Sequence, residues 1–435
     1  MADSPYRSPR IIAERPTPRW PLCLWLSQLV VPVLIIAYAA VRIVNGPPPE
    51  KLLWAGGLIA VGWLAAAGVP VLFRRFRNGL VAKRLQLLLC VASVAVTVLG
   101  GDLALTVTGI VPTIAAQRAR SLEYRASVAT RHRLVPKSLT VDGGATVTIN
   151  SRGYVGPEIE LPKPQGTTRV LFLGGSHVFS TFWAGGEDWP ATVGENLRRD
   201  GRKVDVVNAG VPGHQTGDSL GKLATDLWMI EPDVIVVCSA WNDIKYFSEL
   251  SPELPYRDAA MPWSGRDPRI NPRGIDRLLC YSALYRIGHN QLITMLHGVG
   301  DEGEKLREPT GKISPYAVRQ YELNLEAICD FGRSIDAQVV LCKQARLPVA
   351  DSPKRQRRQI PYEFVGLPHD ELIEAFDRCD RVIEQVAAKK GCRVIDMHGP
   401  LSGKPDYFTD HIHFSAEGIR KAAELVADEL QPLLP

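Results

Sequence analysis

Several patterns that mark common protein classes are missing from this chain of 435 residues. Its formal net charge is only +5, and it has no basic stripe with interleaved aromatic residues, which argues against binding to nucleic acid. Its eight cysteines include no Cys-x-x-Cys pair, and no histidine stands at zinc-finger spacing, so no structural zinc site is predicted. Neither Gly-x-x-x-x-Gly-Lys-Ser/Thr nor Gly-x-Gly-x-x-Gly follows the first predicted strand, which argues against a phosphate- or nucleotide-binding module.

Long apolar runs are concentrated in the first third of the chain. Three of them, at residues 21–44, 52–73 and 85–111, are near or above the ~20 residues that a helix needs to cross a bilayer. The first run is too long, and too soon followed by another, for a cleaved signal peptide. We therefore expect residues 1–112 to form a membrane anchor of about three transmembrane helices.

Basic residues flank these runs unevenly. Four arginines precede the first run and five basic residues separate the second from the third, whereas the first loop has only Glu50 and Lys51 as charged residues. The positive-inside rule then places the N-terminus and the second loop in the cytoplasm. Because three spans change sides, we expect a multi-pass cell-membrane protein whose remaining chain is extracytoplasmic. Five arginines at residues 118–133 argue weakly for the opposite orientation.

Beyond residue 112, short apolar runs alternate with stretches of helical spacing. Residues 113–165 are predicted to form a connector that ends in a hairpin at 140–150, turning at Asp142-Gly143-Gly144. Strands are then predicted at residues 169–174, 203–208, 233–238, 338–342 and 392–396. Helices are predicted at residues 189–199, 216–230, 315–335, 370–389 and 415–430. This alternation predicts an α/β domain over residues 166–435, with a parallel sheet covered by helices on both faces.

Two long segments interrupt the alternation. Residues 245–312 form an insertion rich in proline, arginine and glycine, and residues 348–368 form a polar loop. In parallel sheets of this kind, ligands bind beyond the carboxyl ends of the strands. We expect both segments to shape a groove there.

Reactive side chains are predicted to meet near these strand ends. Ser176 follows the first strand directly after two glycines, which allow a tight turn and leave its N–H free to donate. Asp410 and His413 lie three residues apart before the last helix, where the carboxylate can fix the tautomer of the imidazole. His413 would take the serine proton, which is the chemistry of acyl transfer through a serine. His411 is the competing base, although its place beside Asp410 would tend to point it away.

Two further positions could stabilise negative charge on a reacting oxygen. Gly210 ends the loop after the second strand, where a glycine allows close approach and leaves the N–H unblocked. Asn242 follows the third strand, and its side-chain amide could donate to an oxyanion. In isolation, a turn glycine and a turn-capping asparagine are the simpler interpretations. The agreement in order, residue type and strand-end placement favours the catalytic interpretation.

With these blocks, the chain resembles the SGNH (also called GDSL) hydrolase superfamily over roughly the predicted α/β domain. The resemblance implies that Ser176 is the nucleophile and that Asp410 and His413 complete a catalytic triad. It further implies that the Ser176 N–H, Gly210 and Asn242 form the oxyanion hole.

The same resemblance implies a three-layer α/β/α sandwich with a flavodoxin-like sheet that requires no metal or cofactor. The chain departs from the family pattern at Gly175, where the family has aspartate, and at Ala240, where it has glycine. The usual Gly-x-Ser-x-Gly elbow of α/β-hydrolases is also missing, because Val178 stands at its last position.

These features lead to two functional expectations. The first is an extracytoplasmic serine esterase, acyl hydrolase or O-acetyltransferase that acts on a cell-envelope glycan or a lipid ester. Its expected partners are this substrate, the lipid bilayer and, for transfer, a membrane-bound acyl donor. The alternative, which Gly175 keeps open, is a catalytically degenerate domain that serves as a membrane-anchored binding or assembly protein.

Overall fold

The computed structural model of the protein describes residues 99, 101–105, 108, 110–114, 116–117, 122–125, 127, 129–130, 132–141, 145–181, 185–199, 201–248, 269, 272–297 and 309–435. The predicted spans at residues 21–44 and 52–73, and most of the span at 85–111, lie outside these residues. Within them, no helix combines the length and the apolar character that crossing a bilayer requires.

The chain divides into two compact units. The larger comprises Ile114–Pro272 and Leu292–Pro435, and it contains every residue of the predicted site. The smaller comprises Arg273–Gln291 and the described residues up to Thr113.

From Tyr124 onward, the described residues form nine strands and twelve α-helices. The strands are β1 (Tyr124–Arg125), β2 (Arg133–Leu134), β3 (Lys137–Thr140), β4 (Thr146–Ile149), β5 (Thr168–Gly174), β6 (Val204–Asn208), β7 (Val234–Cys238), β8 (Gln338–Lys343) and β9 (Arg393–Asp396). The helices are α1 (Ser176–Phe179), α2 (Trp189–Arg199), α3 (Thr216–Thr225), α4 (Trp241–Ile244), α5 (Asp276–Leu279), α6 (Ala283–His297), α7 (Pro315–Ser334), α8 (Lys354–Arg357), α9 (Tyr362–Val365), α10 (His369–Lys390), α11 (His398–Leu401) and α12 (Ala416–Leu430).

Strands β5 to β9 form one parallel sheet in the order β6-β5-β7-β8-β9. Strands β5 and β7 are buried along their whole length, which explains their nearly continuous apolar sequences. The strand order reverses at β5, because β5 pairs with β6 on one side and with β7 on the other. This is the flavodoxin-like order, and a crevice opens where it reverses. The predicted α/β fold with a parallel central sheet is confirmed.

Alternate residues of each strand face two separate apolar cores. Leu171 and Leu173 of β5 pack with α3, α7 and α10, whereas Val170 and Phe172 pack with α2 and α12. All four side chains are fully buried, and each such burial contributes roughly 1.5–3 kcal/mol. Helices therefore cover both faces of the sheet and leave its carboxyl edge for the site.

One predicted helix is shorter than expected. The helix predicted at residues 216–230 ends at Thr225, and a 3-10 turn follows at Leu227–Ile230. Asp226 at this junction has a non-helical backbone, and its carboxylate accepts hydrogen bonds from Tyr154 Oη (2.7 Å) and from Arg152 Nη1 (3.2 Å). These bonds to the preceding segment hold Asp226 outside the helix.

The segment predicted as a connector packs against the sheet domain. The hairpin predicted at 140–150 is present but begins three residues earlier, with Lys137 of β3 opposite Ile149 and Thr140 opposite Thr146 of β4, while the predicted turn at 142–144 lies outside the described residues. Its apolar side chains share one core with α1 and with the loop after β6. The core members are Leu134, Leu139, Val141, Val147, Ile149, Val155, Phe179 and Val211. The connector and the sheet thus belong to one compact unit.

Both long interruptions contain helices that the sequence pattern did not predict. Helices α5 and α6 lie in the described part of the insertion, and α8 and α9 lie in the polar loop. Phe364 of α9 stacks on Trp241 of α4, with ring centroids 5.7 Å apart and planes within 3°. This tertiary contact, which no local periodicity reveals, places the polar loop beside the end of β7.

Candidate functional site

Ser176, His413 and Asp410 form one continuous hydrogen-bonded chain. His413 Nε2 lies 2.8 Å from Ser176 Oγ, and His413 Nδ1 lies 2.7 Å from Asp410 Oδ2. The two ends meet because α1 begins immediately after β5 and the Asp410–His413 turn immediately precedes α12. Ser176 is half-buried, so its hydroxyl remains reachable from outside. The structure therefore brings together the three residues that the sequence pattern predicted.

Asp410 holds the turn and the imidazole at the same time. One carboxylate oxygen accepts hydrogen bonds from the backbone N–H groups of Ile412 and His413, both at 2.8 Å. Burial alone would raise the pKa of Asp410, but the hydrogen bond from His413 and the charges of His413 and His411 outweigh it and hold the pKa well below its usual range. An ionised Asp410 keeps a hydrogen on His413 Nδ1 and leaves Nε2 to accept a proton from Ser176.

His411, the competing base, makes neither of these bonds. Its Nδ1 is 3.7 Å from Asp410 Oδ1, beyond hydrogen-bond distance, and its ring packs on Trp241 with centroids 4.3 Å apart. Burial lowers the pKa of His411 to about 4, against the attraction of Asp410. His411 is therefore uncharged at neutral pH, and His413 is the imidazole in line with the hydroxyl.

Gly175 is required by the packing around Asn242. A Cβ atom at position 175 would lie 2.2 Å from Asn242 Nδ2 and 2.8 Å from the carbonyl oxygen of His214. Asn242 Nδ2 itself donates to that carbonyl at 2.8 Å. The asparagine amide thus lies where a side chain at position 175 would have to go, and Gly175 leaves it in place.

Gly210 packs against the end of α1. Its N–H donates to Asn208 Oδ1 at 2.9 Å, and a Cβ atom there would lie 2.4 Å from the backbone N of Phe179. The loop reaches Gly175 at His214, whose carbonyl oxygen would lie 2.8 Å from a Cβ atom at position 175. Gly213, which precedes His214, has a φ of +82°, as the Pro-Gly turn signal at 212–213 indicates.

A buried polar network lies next to Asn242. Asp243 accepts hydrogen bonds from Thr216 Oγ1 (2.6 Å) and Ser239 Oγ (2.8 Å), and Asn324 Nδ2 donates to Thr216 Oγ1 (3.0 Å). Burial raises the pKa of Asp243 to about 6, although the hydrogen bonds from Thr216 and Ser239 oppose the rise. The network joins β7, α3 and α7 and so fixes the backbone that carries Asn242.

A small cavity opens beside the serine. Its free volume is only about 10 Å³, room for about one water molecule and far below the roughly 300–1,000 Å³ of typical small-molecule sites. Its walls come from the ends of β5, β7 and β8 and from the Asp410–His413 turn. The lining residues are Gly175, Ser176, His177, Cys238, Ser239, Ala240, Trp241, Asn242, Gln344 and Ile412.

One cluster of metal-ligating residue types occurs among the described residues, away from this cavity. The ligand atoms of Asp377, Asp380 and His398 lie within 4.8 Å of one another. The Arg346 guanidinium lies 2.8 Å from Asp380 and 3.0 Å from Asp377. Because this cation already pairs with both carboxylates, the cluster is an ion-pair network that supports β8 and α10.

A serine hydroxyl, an imidazole and a carboxylate joined in this way have the geometry of a serine acyl-transfer centre. The sequence matches the model of the GDSL-like lipase/acylhydrolase family over residues 172–421, more than half of the chain. The protein therefore belongs to the GDSL-like lipase/acylhydrolase family, which indicates an ester hydrolase.

Several solved structures are similar at low identity. A lipase/acylhydrolase from Enterococcus faecalis is 17% identical, with 62% of this chain and 97% of that chain covered and a TM-score of 0.36. A GDSL-like lipase from Bacteroides thetaiotaomicron is 11% identical, with coverages of 61% and 89% and a TM-score of 0.33. An acetyl-xylooligosaccharide esterase from Geobacillus Stearmophilus, solved as a mutant, is 15% identical, with coverages of 60% and 94% and a TM-score of 0.35. Comparison with curated proteins gives no match.

Proposed function

We propose that the protein is a serine esterase or O-acyltransferase that acts on ester-bearing cell-envelope glycans or lipids. The observation that carries the proposal is the hydrogen-bonded chain from Ser176 through His413 to Asp410. The catalytic domain is proposed to lie outside the cytoplasm, with residues 1–112 as its membrane anchor. The charge pattern around the apolar runs supports this placement.

The reaction begins when Ser176 Oγ attacks the ester carbonyl carbon. His413 Nε2 takes the hydroxyl proton, and Asp410 stabilises the resulting imidazolium. When the tetrahedral intermediate collapses, the carbon–oxygen bond to the alcohol breaks and His413 returns the proton to the leaving oxygen. The acyl group then resides on Ser176. Water completes hydrolysis by the same route, and a sugar hydroxyl in its place completes acyl transfer.

The negative charge of the intermediate requires donors near Ser176. The Ser176 N–H is one, because the first residue of a helix has no intrahelical partner for its N–H. Asn242 is the second: its amide nitrogen carries two hydrogens, and only one is needed for the bond to His214. Gly210 was predicted as the third donor, but its N–H donates to Asn208 Oδ1 and would have to leave that bond to reach the oxyanion.

The acyl group of the proposed substrate is short, such as the acetyl group of an O-acetylated glycan. The polar loop borders the same region through the stacking of Phe364 on Trp241, in keeping with a groove for the alcohol part of the substrate. A membrane-bound acyl donor is the partner that the transferase version would require.

The alternative, a degenerate binding or assembly protein, rested on Gly175. The hydrogen-bonded set of Ser176, His413 and Asp410 supports the enzyme instead.

Hydrolysis of a series of 4-nitrophenyl esters by the detergent-purified full chain tests the proposal. We expect acetate to be hydrolysed faster than octanoate or longer esters, and Ser176→Ala to abolish the activity. A preference for long chains would exclude the short-acyl reading. An unchanged rate in Ser176→Ala would exclude the serine mechanism.

A further inference from the structure

Two histidines join the predicted connector to the loop that follows β6. His132 Nε2 lies 3.0 Å from the carbonyl oxygen of Pro212, and His214 Nε2 lies 2.8 Å from the carbonyl oxygen of His132. Because a carbonyl oxygen can only accept, both Nε2 atoms carry a hydrogen. The two rings also meet at a centroid distance of 4.7 Å. Two reciprocal hydrogen bonds thus hold the loop at residues 212–214 against His132.

His132 is itself held firmly. It is only 6% exposed, its carbonyl also accepts a hydrogen bond from Thr130 Oγ1 at 2.8 Å, and the Tyr124 ring lies edge-on to its ring at 5.0 Å. Leu134, two residues later, is buried in the apolar core that the connector shares with α1 and the loop after β6. His132 therefore offers the loop a fixed contact, not a mobile one.

The loop at residues 212–214 also contacts the candidate site, through His214. The carbonyl oxygen of His214 accepts one hydrogen of Asn242 Nδ2 at 2.8 Å, and this bond fixes the direction of the second hydrogen. The His214 side chain is fully buried, and the backbone N–H of His214 donates to the carbonyl oxygen of Val211 at 3.0 Å. The position of the His214 carbonyl therefore decides where the free hydrogen of Asn242 points.

We infer that the His132 side chain is a positioning group for Asn242 and that it acts through the loop at residues 212–214, whose Pro212 carbonyl oxygen it holds. The inference rests on the proposed function, since it concerns an oxyanion donor of the same site. Donors of this kind stabilise the transition state more than the bound substrate, so a displaced donor lowers kcat more than it raises KM. The connector therefore contributes to catalysis. Loss of the His132 side chain slows the reaction although Ser176, His413 and Asp410 remain.

The test compares four variants of the full chain in 4-nitrophenyl acetate hydrolysis: His132→Ala, Asn242→Ala, the double variant and Tyr154→Phe. Tyr154→Phe is the matched control, because it removes a different connector bond, from Tyr154 Oη to Asp226 at the C-terminal end of α3. We expect His132→Ala to lower kcat at least about tenfold with KM nearly unchanged. In the Asn242→Ala background the same change should have less than about a twofold effect, because the group that it positions is gone.

His132→Gln keeps an N–H donor and should recover part of the lost rate. If circular dichroism shows that His132→Ala does not fold, His132→Gln replaces it in the comparison with and without Asn242→Ala. Equal losses from the histidine change in both backgrounds would overturn the positioning role alone, as would an equal fall in kcat for Tyr154→Phe. An unchanged rate in Ser176→Ala would overturn the esterase proposal and the positioning role together.

Discussion

His177 Nδ1 lies 2.9 Å from the carbonyl oxygen of Ile412, 235 residues further along the chain. His177 directly follows Ser176 and Ile412 directly precedes His413, so this bond joins the two halves of the candidate site. Burial lowers the pKa of His177 to about 4, against the hydrogen bond to Ile412, and the ring is uncharged at neutral pH. Trp189 Nε1 donates to the carbonyl oxygen of His177 at 2.8 Å and fixes its backbone.

Loss of the His177 ring should slow catalysis because Ser176 and His413 would no longer be held at a fixed distance. We expect His177→Ala to lower kcat about tenfold or more, since small displacements of reacting groups are costly. His177→Asn keeps an N–H donor near the Ile412 carbonyl and should retain most of the rate. Steady-state kinetics of both variants provide the check, and equal activity in wild type and His177→Ala would contradict the role.

The same residue predicts a dependence of stability on pH. The folded-state pKa of about 4 lies below the ordinary value of 6.5, so the unfolded chain takes up a proton at His177 before the folded chain does. Stability from this group is complete above pH 6.5 and is lost as pH falls toward 4. The loss amounts to about 2 kcal/mol between pH 7.5 and pH 5. Urea unfolding at both values should show a smaller loss in His177→Asn, and identical losses would refute the assignment.

Removal of the negative charge at Asp410 should disable the imidazole without disrupting the turn. An asparagine can still accept from the backbone N–H groups of Ile412 and His413, but it no longer selects the productive tautomer of His413. We expect Asp410→Asn to lower kcat by about 10³–10⁴, as such changes do in serine triads. Asp406→Asn, at an exposed position nearby, is the control and should behave as wild type. A loss smaller than tenfold in Asp410→Asn would exclude this role.

A methyl group at position 175 should displace Asn242. The Cβ atom would lie 2.2 Å from Asn242 Nδ2, a distance that the packing cannot accept. Because loss of one oxyanion donor typically costs about 10²–10³ in rate, we expect Gly175→Ala to lower kcat about 100-fold. Gly288→Ala is the matched control, since a Cβ atom there meets nothing within 4 Å. Full activity in Gly175→Ala would mean that Asn242 is not needed at this position.

The buried ion pair between Arg346 and Asp380 should matter for stability and not for chemistry. Asp380→Ala leaves the buried guanidinium with only Asp377, whose side chain is 45% exposed. Breaking a buried pair by removing one partner costs about 3–5 kcal/mol. We expect a lower thermal midpoint with kcat unchanged in the protein that remains folded. A wild-type midpoint would show that the pair is energetically neutral.

The sheet was predictable because β5 and β7 are buried along their whole length and the other three strands are short, mainly apolar runs. Each predicted strand lies within one residue of β5, β6, β7, β8 or β9. Ser176, Asp410 and His413 were also predictable, because strand-end placement and a three-residue spacing are local features. The bond between His214 Nε2 and the carbonyl oxygen of His132 joins residues 82 positions apart, and no local pattern reveals it. The bond from the Gly210 N–H to Asn208 Oδ1 spans only two residues, as in an Asx-turn, and the sequence pattern was read without it.

Covalent labelling of the full chain with a fluorophosphonate probe tests the central claim most directly, because the probe reacts only with a serine hydroxyl that a nearby base activates. The account predicts one adduct, located by peptide mass spectrometry on Ser176, and its absence in Ser176→Ala and in His413→Ala. A folded wild-type protein that remains unlabelled, or an adduct that persists in Ser176→Ala, would contradict it.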